Sequence, residues 1–382
     1  MNDAPVVSVW EPDGNEWRVV GRVLAYTTLQ FESRFLEAGP WQMELPYDTA
    51  ALPILPHRLL SVDWRGRTLP LRITSHNPHV DEETGQPTLT VGGKGALSLF
   101  DRVLAWPDPS KGLGSQPIDD PYTGDAETVV RQMIEGNYVD RYGAQLRMGA
   151  NQNQGDNVKA RPEFDNLLEI VAKKAKRGGI GVDVELVRTT GTRARLELRI
   201  WTPQDLTRRV RLTRRSGTLR NWSQDAEAPS VTHALVGGAG SGTDRVFRQV
   251  STAASRQAAD TWGGPVESFV DGPSSFDFPE LDQAGEEALD EGAETNTLTM
   301  TAAESEGLRA FRDYQPGDKA TGELADKTTI TDVITSVSVT VNDDGVDVVP
   351  TFGDPDRKDP AIAIGKLIKG VRREVKHLQT RR

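Results

Sequence analysis

Chemistry in this chain would have to start from a few residue groupings. His76 and His79 stand close to Asp81, Glu82 and Glu83, the side-chain types that ligate a divalent metal. Pro78 lies between the histidines, so they cannot share a regular helix face, and NPHVDEETGQP reads as a hairpin loop. Gly92-Gly93-Lys94-Gly95 follows a predicted strand, where an anion could sit at the start of a helix. Lys94 is followed by glycine rather than Ser or Thr, and the leading glycine of a phosphate loop is missing, so the better reading is a tight turn. Gly237-Gly238-Ala239-Gly240-Ser241-Gly242 also follows an apolar strand, but its spacing is not that of a dinucleotide loop.

Paired acids could support glycoside hydrolysis. Asp282, Glu286 and Asp290 stack at i, i+4 and i+8, and Glu287 pairs with Glu291. A single solvated helix face explains them without catalysis. The arginines Arg188, Arg193, Arg195, Arg199, Arg208, Arg209, Arg211, Arg214, Arg215 and Arg220, with Trp201 and Trp222 nearby, are the best candidates for nucleic-acid contact. Arginine at alternate positions of an exposed strand is the commoner cause of such a run. No catalytic residue, cofactor or metal is therefore expected.

The elements that would position these groups are mostly strands. In Tyr314–Gly353, Pro316-Gly317 suits the centre of a type II turn leading through Asp318 into a strand. Val337, Val339 and Val341 then alternate with Ser336, Ser338 and Thr340. Asn342-Asp343-Asp344-Gly345 breaks the run before Val346 and Val348 resume it. This predicts an antiparallel hairpin with one wet face, with Pro316, Gly317, Asp318 and Gly345 as its structural turns. From Val6 to Leu99, short apolar runs separated by turns such as Trp64-Arg65-Gly66-Arg67 read as an antiparallel barrel or sandwich. Ala96–Val103 reads as a short helix, and the prolines and glycines from Pro107 to Pro121 mark a linker or surface loop.

The period then changes. Asp125 can cap a helix carrying Val129, Val130, Met133 and Ile134 on one face. A second helix is predicted from Phe164, Leu167, Leu168, Val171, Ala172 and Ala175, ended by Gly178-Gly179. Val182, Val184 and Leu186, then Leu196, Leu198 and Ile200, predict a hairpin. Further on, RRVRLT, HALVGG and RVFRQV read as strands. Residues 251–292 look irregular, apart from a helix opened by Pro279 with Leu281, Ala284, Ala288 and Leu289 on one side. At the end, Ile364, Ile368, Val371, Val375 and Leu378 follow heptad spacing, and their β-branched residues favour three strands over two. A helix docked on its own domain satisfies the same spacing.

Composition bounds the reading. At 382 residues the chain fits two or three domains, and a formal charge of −11 disfavours wholesale binding to nucleic acid or anionic membrane. The absence of cysteine removes disulfides, thiolate zinc sites and thiol catalysis. The start MNDAPVVSVWEPDG has neither a basic nor an apolar leader region, and no segment has the apolar length of a membrane span. Synthesis in the host cytoplasm without a signal peptide, and no direct membrane anchor, are expected.

Several stretches, in this order, resemble minor tail proteins of siphophages infecting actinobacteria: GPWQMELP, TLTVGGKGALSLFDRVL, GDAETVVRQMIEGNYVDRYG, FDNLLEIVAKKAKRGGIGVDVEL, HALVGGAG, and TWGGPVESFVD followed by DYQPGDKATGEL. More remotely, they resemble baseplate-hub proteins of contractile tails. The resemblance implies a mainly β fold with an α+β insertion, two β-barrel-like hub domains and a short C-terminal helix. Its divisions would be an N-terminal hub domain at 1–106, completed by part of 202–250; an α+β insertion at 107–201; a second hub domain at 202–355; and the helix at 356–382. It further implies a homotrimeric ring at the distal tail end of the virion that adapts tail symmetry and gates the DNA channel. The partners would be the distal tail protein ring, the tape-measure protein, other tail-tip or receptor-binding proteins, and genome DNA only in transit. Many members of the family carry a further lysin or receptor-binding region, whereas this chain is expected to stop after its helix. The alternative function is a virion-associated cell-wall hydrolase or a host-carbohydrate-binding tail adhesin. An adhesin would need an aromatic platform, and Trp106, Trp201, Trp222 and Trp262 are too scattered in sequence to assign one.

Overall fold

The computed structural model describes residues 4–48, 53–80, 85–116, 122–213, 219–272, 275–302, 308–323 and 329–352. It is mainly β, organised on one sixteen-stranded ladder. Strand Val6–Asp13 pairs with Glu16–Val23 on one side and Leu59–Trp64 on the other. The Arg65-Gly66 turn, with φ of 51° and 78°, joins Leu59–Trp64 to Arg67–Val80, since paired positive φ matches the twist of a two-residue hairpin. The ladder continues through Pro87–Gly95, Pro40–Pro46 and Thr28–Arg34. Thr28–Arg34 pairs with Thr329–Asn342, so an early and a late strand of the chain lie side by side. Beyond lie Gly345–Phe352, Thr295–Ala302 and Leu219–Glu227. Among the described residues no set of strands closes on itself, so the barrel-like expectation meets an open ladder. Its other side is extended by the hairpin Gly181–Arg188 and Arg193–Trp201, joined at Glu16–Val23.

Alternation puts one face of each strand into a common core. Val7, Val9, Trp41, Met43, Leu45, Val337 and Val339 are each at most 4% exposed. Leu206, Val210, Leu212 and Tyr314 share that core, so segments from both halves of the chain complete it. A second core lies under the helices Ala126–Ile134 and Leu167–Arg177 and against the 181–201 hairpin. Asp125 caps the first helix, accepting from the Thr128 N–H at 2.9 Å, and Val129, Val130, Met133 and Ile134 are all buried. A third, smaller core forms where helix Phe278–Glu291 lays Leu281 and Leu289 over Ala234 and Val236 of a three-stranded sheet. That sheet comprises Phe247–Val250, His233–Gly237 and Glu267–Asp271.

Four local expectations are corrected. Gly92-Gly93-Lys94-Gly95 is the end of strand Pro87–Gly95 rather than a turn. A bulge between Ile73 and Ser75 presses the neighbouring strand so close that a Cβ on Gly93 would lie 1.9 Å from the Arg72 carbonyl oxygen. Strand Arg67–Val80 runs on through Pro78 and His79, part of the stretch expected to be a loop, and also carries His76. The second helix begins at Leu167 behind its cap Asn166, whose side chain accepts from the Leu168 and Glu169 N–H groups; Phe164 lies outside it. Residues 251–292 hold a further helix, Ala253–Trp262, that periodicity missed because its buried side chains are only Ala258 and Ala259. Thr252 and Ser255 form a reciprocal capping box there, the local signal that could have revealed it. The heptad positions Ile364, Ile368, Val371, Val375 and Leu378 lie outside the described residues.

Candidate functional site

The predicted turn is where distant parts of the chain converge. Asp318 N–H donates to the Gln315 carbonyl at 3.1 Å, and Gly317 takes φ +98°, as the third position of a type II turn requires. Asp318 is only 3% exposed. Its carboxylate accepts from the backbone N–H groups of Gln204 (2.8 Å) and Gln315 (3.0 Å). Burial raises its pKa above the ordinary value, while those two N–H groups pull the other way. The amide oxygen of Gln315 accepts from Arg199 at 3.1 Å and also from Arg67. Both guanidinium groups then reach Glu185, at 3.3 and 3.2 Å. The strand Arg67–Val80, the 181–201 hairpin and the turn are thus joined by one charged network. Burial lowers the Arg199 pKa and pushes the neighbouring Asp183 up to about 6. Gly345 sits at φ +128° in the exposed hairpin turn, remote from this network in the ladder.

A second polar assembly lies between helices. Most of the acids read as a solvated face also dock helix Phe278–Glu291 onto Leu167–Arg177 and its neighbours, which corrects that reading for buried Glu287, while Asp290 is exposed. Glu287 meets Lys174 at 2.6 Å and Lys173 at 3.2 Å, Glu291 meets Lys173 at 3.2 Å, and Glu286 meets Arg177. Asp282 takes a two-pronged grip from Arg248, both contacts at 2.7 Å. Glu280 pairs with Arg161. Asp282, Glu286, Glu287 and Glu291 of the proposed acid pairs are thus each matched by a cation from another element.

Several residues of the remaining groupings are likewise engaged, while Arg214 and Arg215 lie outside the described residues. His76 Nε2 contacts the Ile54 carbonyl oxygen at 3.0 Å and His79 Nδ1 that of Asn77 at 3.3 Å; Asp81, Glu82 and Glu83 lie outside the described residues. Among the described residues no group of three or more His, Cys, Asp or Glu side chains is arranged to hold a metal. Arg245 folds into the glycine-rich turn, donating to the Gly237 and Gly238 carbonyls at 3.1 Å each. In the arginine run, Arg188 pairs with Asp63 (2.7 Å), Arg193 with Asp13 (2.8 Å) and Arg195 with Glu197. Arg199 is held as above, so these four serve intramolecular pairs. The Arg67–Gln315 contact, 248 residues apart, had no sequence signal.

The fold is shared with phage tail proteins. The crystal structure of a 43 kDa tail protein of prophage MuSo2 from Shewanella oneidensis superposes with a TM-score of 0.59 at 14% identity, covering 93% of this chain and 100% of that one. A tail protein from Neisseria meningitidis gives 0.56 at 12% identity, covering 92% and 97%. Prophage tail protein gp18 from Listeria monocytogenes gives 0.53 at 10% identity, covering 97% and 100%. No curated protein matches the sequence. Residues 6–354 match the family described as Siphovirus ReqiPepy6 Gp37-like protein, and the chain belongs to that siphovirus tail-protein family.

Proposed function

We propose that the protein is a structural baseplate-hub component, forming a homotrimeric ring at the distal tail end that matches tail symmetry and gates the DNA channel. The observation that carries this reading is the open ladder. Among the described residues, its terminal strand Leu219–Glu227 pairs on one side only, with Thr295–Ala302. A nine-residue edge strand offers unpaired backbone groups that another copy of the chain can complete. Burial at permanent subunit interfaces would supply the stability that disulfides cannot give a cysteine-free chain. The distal tail protein ring above and the tape-measure protein within are the partners such a ring would meet.

Sedimentation equilibrium of the full chain tests the subunit count, with a species three times the 41.9 kDa chain mass expected. Electron microscopy of particles carrying a labelled subunit tests the location. A monomer at every concentration, together with label away from the tail tip, overturns the proposal.

A further inference from the structure

The α+β insertion gathers aromatic rings that are scattered in sequence. Two short strands, Leu104–Ala105 and Asp165–Asn166, pair antiparallel and bring Trp106 beside Phe164, ring centroids 5.6 Å apart and 73° between planes. Phe164 donates its N–H to the Ala105 carbonyl at 3.0 Å while holding φ +64°. A bulky aromatic in the left-handed region is a genuine conformational outlier, of the kind that concentrates at binding sites. Behind the rings, residues Glu135–Asp140 form a π-helical turn, a distortion frequent at functional sites. Its fully buried Asn137 accepts from the Trp106 N–H at 2.7 Å and donates to the Met133 carbonyl at 3.0 Å, fixing the indole's backbone to the turn.

Arg141 and Tyr142 follow that turn. The Arg141 guanidinium lies 4.1 Å from the Trp106 ring centroid and 5.1 Å from that of Tyr142. It donates to the Leu104 carbonyl at 3.2 Å and the Tyr142 hydroxyl at 3.3 Å. Unlike Arg188, Arg193 and Arg199, it has no carboxylate partner among the described residues. The surface is open: Tyr142 is 61% exposed, Leu104 51% and Phe164 36%.

The geometry points to a platform for a neutral glycan strand, with the Tyr142 and Phe164 rings stacking on pyranose C–H faces and Arg141 donating to ring hydroxyl or acetamido oxygens. The platform combines flat apolar rings, a cationic donor fork without a carboxylate partner, and the exposed acids Asp140 and Glu163 immediately before Arg141 and Phe164. Sugars need both an apolar face and an oxygen-matching rim. Single-stranded nucleic acid uses rings and arginine as well, but its phosphates would meet Asp140, Glu163 and a chain of charge −11. This inference stands apart from the trimer, since all the named groups belong to one chain.

The test is calorimetric titration of the full chain with chitohexaose, cellohexaose and oligothymidylate. Saturable binding of at least one neutral hexasaccharide is expected, weakened about tenfold or more by Tyr142→Ala and by Arg141→Ala, with the melting temperature unchanged by Tyr142→Ala, whose ring is exposed, and no binding of oligothymidylate. Arg141→Lys tests the planar fork and should weaken binding as well. Failure of both hexasaccharides to bind, equal affinity in the Tyr142→Ala and Arg141→Ala variants, or tighter binding of oligothymidylate overturns the inference.

Discussion

Glu287 and Lys174 stand 2.6 Å apart on two helices separated by 113 residues of chain, both nearly inaccessible to water. Burial alone would raise the Glu287 pKa, but the ammonium groups of Lys174 and Lys173 outweigh it and hold the carboxyl below its ordinary value. Removing one partner strands a buried charge, the situation in which ion pairs matter most. Glu287→Ala should therefore lower stability by about 3 kcal/mol in urea unfolding, and Lys174→Met combined with Glu287→Leu should recover most of that loss. Because the folded pKa is depressed, the pair's contribution is complete above the ordinary glutamate value of 4.5 and fades as pH falls through the lower folded value. A double variant as unstable as Glu287→Ala would show that the loss does not come from a stranded Lys174 charge.

Asp183 gives the opposite pH dependence. Its pKa is raised from 3.8 to about 6, chiefly by burial, so the folded state favours the protonated form. The benefit of protonation is full below pH 3.8 and is lost as pH rises through 6. Above that, a buried carboxylate is carried at a cost. Asp183→Asn should match the parent below pH 4 and exceed it by about 2 kcal/mol above pH 7. Melting temperatures of both proteins across this range check it, and parallel curves would dismiss the assignment.

The sequence made local features legible and hid the joins between them. Alternation located Val337, Val339 and Val341, and Asp125 announced its helix, because neighbours within a few residues decide both. Gly93 sits in a glycine run that looks like a turn locally, whereas its cause is the Arg72 carbonyl on an adjacent strand. The acids of helix Phe278–Glu291 were legible as a face, but their partners Lys173, Lys174 and Arg248 come from other elements. Trp106 remained scattered until the paired strands 104–105 and 165–166 set it beside Phe164.

The proposed trimer makes its own demand on the heptad positions. Ile368→Asp with Val375→Asp places carboxylates at two of the five seam positions, where a three-stranded coil would have to desolvate them. Sedimentation should then report a single chain in place of three, with the far-ultraviolet signature of the β ladder intact. A helix docked on its own domain predicts the reverse, an unchanged subunit count with a lower melting temperature.

Gly317 and Gly345 separate steric crowding from backbone strain. Both hold positive φ, +98° and +128°. A Cβ on Gly317 would lie 2.6 Å from Cε2 of Phe35, whose ring packs edge-on against Trp201 with centroids 6.4 Å apart, whereas a Cβ on Gly345 meets nothing within 4 Å. Gly345→Ala should cost about 1 kcal/mol from strain alone, and Gly317→Ala about 2 kcal/mol or more, because the ring must also shift. Combining Gly317→Ala with Phe35→Leu should cost less than the two single changes added together, since the smaller leucine makes room for the new methyl and the methyl fills part of the space the ring vacates. Strict additivity in chemical denaturation would mean that the turn's conformation, not its contact with Phe35, is what the glycine serves.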